Sequence, residues 1–221
     1  FLLPPRCLLC EAPGQADTDL CAACAAELPR NRVHCMRCGL PLATPAAACG
    51  HCLRHPPPWQ AAWTPFRYGW PLDRLEARFK FSQDLAAGRT LAAAWCAEPP
   101  PALLPGLLLP VPLARARLRQ RGYNQALELA RPLARRLDLP LRHDLLLRTR
   151  DTAAQTTQPD APARRRNVRG AFALRPGARL PDHVAVLDDV LTTGATLGEC
   201  ARVLRRAGVA RVDVWALARV A

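Results

Sequence analysis

Lysine is almost missing from this sequence. Of 31 basic residues only Lys80 is a lysine, and the rest are arginines. The abundance of Ala and Pro beside them traces this skew to coding bias. The cations that result are planar forks, suited to bidentate contact with phosphate and carboxylate. Aromatic residues are also scarce, with five tryptophans, five phenylalanines and two tyrosines. Any affinity for nucleic acid should therefore be mainly electrostatic rather than built on extensive base stacking. Long apolar runs are absent. The longest uncharged tract, Pro99 to Ala114, is broken by six prolines and falls short of a membrane span. Phe1 to Cys10 lacks the apolar length of a signal peptide. These absences lead us to expect a cytoplasmic chain with no membrane insertion. Neither a Walker A sequence nor G-x-G-x-x-G occurs, which disfavours an ATPase or dinucleotide site.

What is present bounds the answer further. The chain has 221 residues, half of them hydrophobic, and a formal net charge of +13. That length suits one medium domain, alone or with a small module. The apolar fraction excludes wholesale disorder. The charge favours a polyanionic partner, either nucleic acid or a phosphorylated metabolite.

Eight of the ten cysteines fall in four Cys-x-x-Cys pairs: Cys7/Cys10, Cys21/Cys24, Cys35/Cys38 and Cys49/Cys52. The first members step evenly, 14 residues apart, which is an internal repeat. Two residues between thiolates let both sulfurs of one tight turn reach one tetrahedral ion, and zinc is the default ion for all-thiolate sites. Four pairs make two four-cysteine sites. Pairing in sequence joins Cys7, Cys10, Cys21 and Cys24, then Cys35, Cys38, Cys49 and Cys52. A cross-braced arrangement of first with third pair, and second with fourth, satisfies the same spacing. A disulfide scaffold wants a secreted chain, and redox motifs do not come four in a row. The segment is too poor in large apolar residues to fold on burial alone. Metal would supply its folding energy, on the order of 10 kcal/mol per site, so these are structural sites. His34, His51 and His55 are not needed as ligands. Cys96 and Cys200 stand alone in helical patterns and read as small buried apolar residues.

His55-Pro-Pro-Pro-Trp59 is a stiff break, which sets two regions: residues 1–56, the cysteine module, and residues 57–221. After the break, strands are expected at Ala62–Tyr68, Leu107–Val111, Ala171–Leu174, His183–Leu187 and, by alternation, Arg211–Leu217. Helices are expected at Leu85–Trp95, Gln125–Leu137 and Thr196–Ala207. The apolar face of the second is Leu127, Ala130, Leu133, Ala134 and Leu137. Thr149 to Gly170 reads as a long mobile loop, of the kind that is usually functional or disordered. Strands separated by helices predict a parallel α/β sheet, whose ligands sit beyond the carboxyl ends of the strands.

The most specific chemistry lies in Val184-Ala-Val-Leu-Asp188-Asp189-Val-Leu-Thr192-Thr193-Gly194-Ala195-Thr196. A buried strand runs into two carboxylates, then a Thr-Gly loop, then a helix N-terminus. Backbone N–H groups and the helix dipole there favour an anion. Gly194 permits close approach or positive φ. The carboxylates would repel phosphate itself but suit hydroxyls, or Mg²⁺ held near them. Phosphate on one side and hydroxyls on the other describes a ribose 5-phosphate. Arg115, Arg117, Arg119 and Arg121 follow the Leu107–Val111 strand and would neutralise a pyrophosphate or line a nucleic-acid path. Gly122 permits a sharp turn, and Asn124 can bond a phosphate or cap the next helix. Arg150, Arg164, Arg165, Arg166 and Arg169 form a second basic cluster.

Val184 to Thr196 resembles the ribose-phosphate motif of type I phosphoribosyltransferases. That resemblance assigns Asp188 and Asp189 to the ribose hydroxyls of phosphoribosyl pyrophosphate, and Thr192 to Thr196 to its 5-phosphate, with Mg²⁺ accompanying the substrate. Ala195 stands where many members have Gly. Pro110-Val-Pro112, Arg115, Arg117 and Arg121-Gly-Tyr-Asn-Gln125 resemble the signature of the ComF/GntX group. So does the stretch from Gln155 through Arg166-Asn167-Val-Arg-Gly170-Ala-Phe172. That group also carries N-terminal cysteine pairs, so the resemblance spans nearly the whole chain. It implies a phosphoribosyltransferase-type domain behind a double zinc ribbon, and an association with DNA uptake in natural competence. The other reading it leaves open is a non-catalytic module that holds single-stranded DNA or recruits a helicase through its ribbons and arginines.

Overall fold

The structure is a computed structural model and describes residues 5–15, 18–151 and 160–221. In chain order, the cysteine-rich part holds α1 (Ala22–Ala26) and α2 (Gly50–Arg54). Then come β1 (Ala61–Trp63), β2 (Phe66–Arg67), α3 (Leu72–Phe81), α4 (Leu85–Ala97) and β3 (Leu107–Pro110). These are followed by α5 (Arg115–Arg121), α6 (Gln125–Leu137), β4 (Leu146–Arg148), α7 (Ala161–Val168) and β5 (Phe172–Leu174). The chain closes with β6 (His183–Leu191), α8 (Ala195–Arg206) and β7 (Arg211–Arg219).

The main sheet runs β1-β7-β6-β3, with β2 also on β7, and every pairing in it is parallel. β4 and β5 pair antiparallel as a separate ribbon. This is the expected α/β architecture behind an N-terminal cysteine module. Its centre is β7, buried at seven consecutive positions from Val212 to Ala218. Alternation in the sequence suggested a half-buried strand. Both of its faces are buried instead, with α8 packed against it, and the small Ala216 and Ala218 suit that close packing. Asp213 survives in that core because His183 Nε2 lies 2.9 Å and Arg211 Nη2 3.1 Å from its carboxylate.

The strand expected at Ala62–Tyr68 is present but interrupted. β1 and β2 hold one register on β7, with Trp63 opposite Trp215 and Phe66 opposite Ala218. Between them Pro65 offers no N–H to the ladder. α6 begins and ends where the spacing predicts, but its buried stripe is Ala126, Leu129, Ala130, Leu133 and Ala134 rather than one through Leu127 and Leu137. Three further helices are absent from the sequence reading. In α3 the buried stripe is Leu72, Leu75, Glu76 and Phe79, and the buried carboxylate breaks the apolar periodicity. α5 occupies what reads as a loop. α7 lies inside the expected Thr149–Gly170 loop, started by Asp160, whose side chain accepts from the Ala163 amide at 2.7 Å. The rest of that expectation, including Gln155, lies in residues 152–159, outside the described residues.

The cysteine module docks on the edge of the sheet. The Ala62 amide donates to Met36 O at 2.9 Å, Arg67 N to Pro29 O at 2.7 Å, and Asn31 N to Pro65 O at 2.7 Å. Asn31 is buried and its Nδ2 donates to Gly39 O and Thr64 O, at 2.8 and 3.1 Å. On the far side Arg78 Nη1 donates to Leu8 O at 2.7 Å.

Candidate functional site

The four-cysteine sites pair in sequence. Cys7, Cys10, Cys21 and Cys24 bring their sulfurs within 4.8 Å of one another, and so do Cys35, Cys38, Cys49 and Cys52. Cross-bracing is not the arrangement found. Backbone amides support the thiolates: Cys24 N donates to Cys21 Sγ at 3.4 Å and Cys49 N to Cys35 Sγ at 3.1 Å. Burial works against ionising Cys7 and Cys49, yet surrounding hydrogen bonds hold their thiols down to about 6 and about 7. Four thiols at these separations, one of them in each site poised as a thiolate, fit a tetrahedral zinc ion at each site. Cys200 is fully buried as expected, whereas Cys96 is half-buried.

The second constellation lies at the carboxyl ends of β3 and β6. β6 does not stop at Leu187 but continues to Leu191, so Asp188 and Asp189 are strand residues, with Asp188 opposite Ala216. Val111 N, just past β3, bonds Leu187 O at 2.8 Å and brings the two strand ends together. A cavity of about 610 Å³ opens there. It is lined by Asp188 through Leu197 together with Lys80, Arg117, Arg121, Arg148 and Arg164.

Adjacent strand residues point to opposite faces, and Asp189 meets α3. Lys80 Nζ lies 3.0 Å from Asp189 Oδ2 and is also paired with Glu76. Burial works against the ammonium charge, but Asp189 and Glu76 outweigh it and hold Lys80 above its ordinary value. Burial pushes Glu76 up to about 7 despite Lys80. Burial and the charge of Asp189 push Asp188 up to about 8. Asp189 is thus the countered member of the pair. Its Oδ1 accepts from the Val190 amide at 2.7 Å, and Asp188 Oδ1 accepts from the Asp189 amide at 3.0 Å.

After β6 the chain turns through Thr192 and Thr193 into α8. Gly194, at φ +72°, is the N-cap residue, and no side chain caps the helix through it. The Ala195 amide donates to Thr193 Oγ1 across a long 3.4 Å. Also lining the cavity, Arg117 is pushed down by burial and the neighbouring Arg121, and Arg148 by burial and Arg117. Arg117 Nη2 is buried without a hydrogen-bond partner among the described residues. Crowded cations and a helix N-terminus lining one cavity suit a polyanionic ligand.

Comparison with known proteins supports the cysteine module by a family match and the whole chain by its relatives. The double zinc ribbon domain family matches residues 1–53. The DNA utilization protein YhgH of Escherichia coli is 36% identical over 227 residues, covering 98% of each chain. Its namesake in Salmonella typhimurium is 36% identical over 225 residues, again covering 98% of each. Competence protein F of Haemophilus influenzae is 37% identical over 223 residues, 97% of this chain and 96% of that one. The chain belongs to this family. These relatives align with it over nearly their whole length. No helix among the described residues is long and apolar enough to cross a membrane.

Asp188, Asp189, Thr192, Thr193, Gly194, Ala195 and Thr196 all line the cavity in this family member, as do Arg121 and Asn124. Asn124 also has structural work. Its Oδ1 accepts from the Ala126 amide at 3.1 Å, capping α6, and its Nδ2 donates to Val111 O at 3.0 Å. Arg115 is exposed on α5, outside the cavity wall, and Gly122 is the left-handed C-cap of that helix, at φ +84°. Sequence reasoning missed Lys80, Glu76 and Arg148. The signal for Lys80 was present: a single lysine among arginines.

Proposed function

We propose that the cavity binds phosphoribosyl pyrophosphate, and that the chain serves DNA utilization or competence, the roles that its relatives' names give. The 5-phosphate would take the loop from Thr192 to Thr196 and the helix terminus behind it. The ribose hydroxyls would bond Asp188 and Asp189, and the diphosphate would face Arg117, Arg121 and Arg148. The observation that carries this reading is the mixed lining of the cavity. A helix terminus opened by a glycine, a crowd of arginines and two adjacent carboxylates, one already paired with Lys80, all line the same space. Asp189 has both oxygens engaged, so the pair suits hydroxyls better than direct ligation of a cation. Mg²⁺ would arrive on the diphosphate and offset its charge. If transfer occurs, the arginines are placed to hold the charge that develops on departing diphosphate as C1 gains oxocarbenium character.

Calorimetric titration of phosphoribosyl pyrophosphate with Mg²⁺ tests the reading. Micromolar binding is expected in the wild type, and a loss of at least a hundredfold in the Asp188→Asn/Asp189→Asn variant. Equal affinity in both proteins would sink it.

A second reading, single-stranded DNA binding, is favoured by one surface. The three exposed aromatic residues among those described, Tyr68, Trp70 and Phe81, all flank α3, and Tyr68 and Phe81 border the cavity. Arg74 lies 5.7 Å from the Trp70 ring and Arg121 5.9 Å from the Phe81 ring. Aromatic faces beside guanidinium groups suit unpaired bases. Affinity for an oligothymidylate should fall steeply with salt and drop about tenfold in Phe81→Ala, which is about 1.4 kcal/mol and within the range for one stacked base. A flat salt dependence would contradict it.

A further inference from the structure

The phosphate loop is held from below by two side chains that both end on the second cysteine site. Arg219, at the end of β7, donates from Nη1 to Leu191 O at 3.0 Å and to Thr192 O at 2.7 Å. Its Nε donates in the other direction, to Cys38 O at 3.0 Å. Trp59 makes the second link. Its Nε1 donates to Arg37 O at 2.7 Å, and the residue is 5% exposed. Its ring lies under the turn: a Cβ built on Gly194 would come 2.8 Å from Cη2, and one on Gly198 3.4 Å from Cζ3. Arg37 and Cys38 are consecutive residues of the tight turn between Cys35 and Cys38. One cysteine knuckle therefore presents two adjacent carbonyls, and each is tied through one side chain to the Thr192–Gly198 segment. The first cysteine site has no such tie among the described residues. Its contact through Leu8 O runs to Arg78, on α3, which pairs with Asp84 at 2.7 Å.

We infer that Arg219 and Trp59 are positioning residues through which the second cysteine site sets the shape of the anion loop, so that metal at Cys35, Cys38, Cys49 and Cys52 and an anion at Thr192–Thr196 stabilise one another. Four thiolates fit zinc, and zinc fixes the direction of carbonyls in the turn it clamps. Loss of the ion frees the Cys35–Cys38 turn. Arg219 and Trp59 then lose the acceptors that aim them, and the loop carbonyls at Leu191 and Thr192 lose their partner. Coupling of this kind is reciprocal in affinity, so a bound anion must tighten metal binding at that site and not at the other, which a chelator reads as slower loss of that ion. The anion half of the inference rests on the function proposed above, whereas the mechanical half does not.

The test uses the full-length zinc-loaded protein and the variants Trp59→Phe and Arg219→Lys. Both variants keep all eight ligand cysteines, and Trp59→Phe keeps most of the ring. Amide exchange is followed by mass spectrometry over residues 190–198. Zinc release is followed with a chromogenic chelator, with and without phosphoribosyl pyrophosphate and Mg²⁺. Exchange in the loop should rise about tenfold in either variant while exchange in α6 stays unchanged, a pattern that a general loss of stability would not give. In the wild type, ligand should slow release of one of the two zinc ions at least fivefold, and each variant should abolish that protection. Wild-type loop exchange in both variants would overturn the inference. If the ligand fails to bind while loop exchange still rises, the mechanical link stands and the proposed ligand falls. Equal slowing of both zinc ions would overturn the site-specific coupling.

Discussion

A single lysine in an arginine-rich chain is the residue on which the acidic pair depends. Lys80 lies between Glu76 and Asp189, with its side chain 19% exposed and theirs 2% and 12%. Removing one member of a buried ion group leaves the others uncompensated, at about 3–5 kcal/mol. Lys80→Met should therefore destabilise by that amount in chemical denaturation. Adding Glu76→Gln should recover part of the loss, and a neutral outcome for Lys80→Met alone would refute the triad. Lys80→Arg should not restore stability, because a planar fork does not replace a compact ammonium between two carboxylates. Asp188 makes a separate prediction. Its folded carboxyl keeps its proton up to about 8, whereas an unfolded aspartate releases it near about 4. The raised value favours folding at low pH, and that contribution is lost as pH rises through this window. Asp188→Asn has no such loss. The melting temperature of the variant relative to wild type should climb between about pH 5 and pH 8.5, by about 2–4 °C for each kcal/mol. A pH-independent difference would show that Asp188 titrates normally.

At the scale of elements, the loop between β6 and α8 depends on one glycine for two reasons. Gly194 has φ +72°, and its missing side chain leaves room for Trp59. Gly194→Ala should cost about 1–2 kcal/mol for the backbone conformation alone. It should also abolish anion binding, because the displaced ring or loop no longer presents the α8 terminus. Wild-type affinity in Gly194→Ala, read by calorimetry, would mean that the loop is not the phosphate seat. This segment was legible in the sequence because it is local, a buried strand followed by acidic, Thr-Gly and helical signals within thirteen residues. α6 was legible for the same reason, as a strong helical stripe opened by Asn124. α3 was not, because its inward stripe includes Glu76, and a charge on that face hides the period. α5 was hidden by having no buried residue at all. The site wall missing from the sequence reading, Lys80 and Arg148, comes from α3 and β4, elements that only the fold brings beside β6.

For the whole molecule, the cysteine module is part of the frame that holds the sheet and the cavity. The Pro56–Pro58 break reads as a boundary in sequence, yet Met36 O and Pro29 O accept from β1 and β2 across it, and Arg219 spans from β7 to Cys38. Metal removal by a strong chelator should therefore act beyond the ribbons. Amide exchange in β1 and β2 should rise with zinc loss, and the melting temperature of the whole chain should fall. A sheet that keeps its protection after both ions leave would contradict this coupling. The pairing of cysteines was half legible: spacing gave the four pairs, and only the fold chose the sequential pairing over cross-bracing. The central claim concerns the cavity at the ends of β3 and β6. Phosphorus NMR of phosphoribosyl pyrophosphate with the zinc-loaded protein reads the two ends of the ligand separately. Both the 5-phosphate and the diphosphate resonances should shift with wild-type protein, and the 5-phosphate resonance should return to its free position with Gly194→Ala. Shifts of the diphosphate alone, unchanged by Gly194→Ala, would mean that the arginines collect anions and that the loop beside Asp188 and Asp189 holds no ribose phosphate.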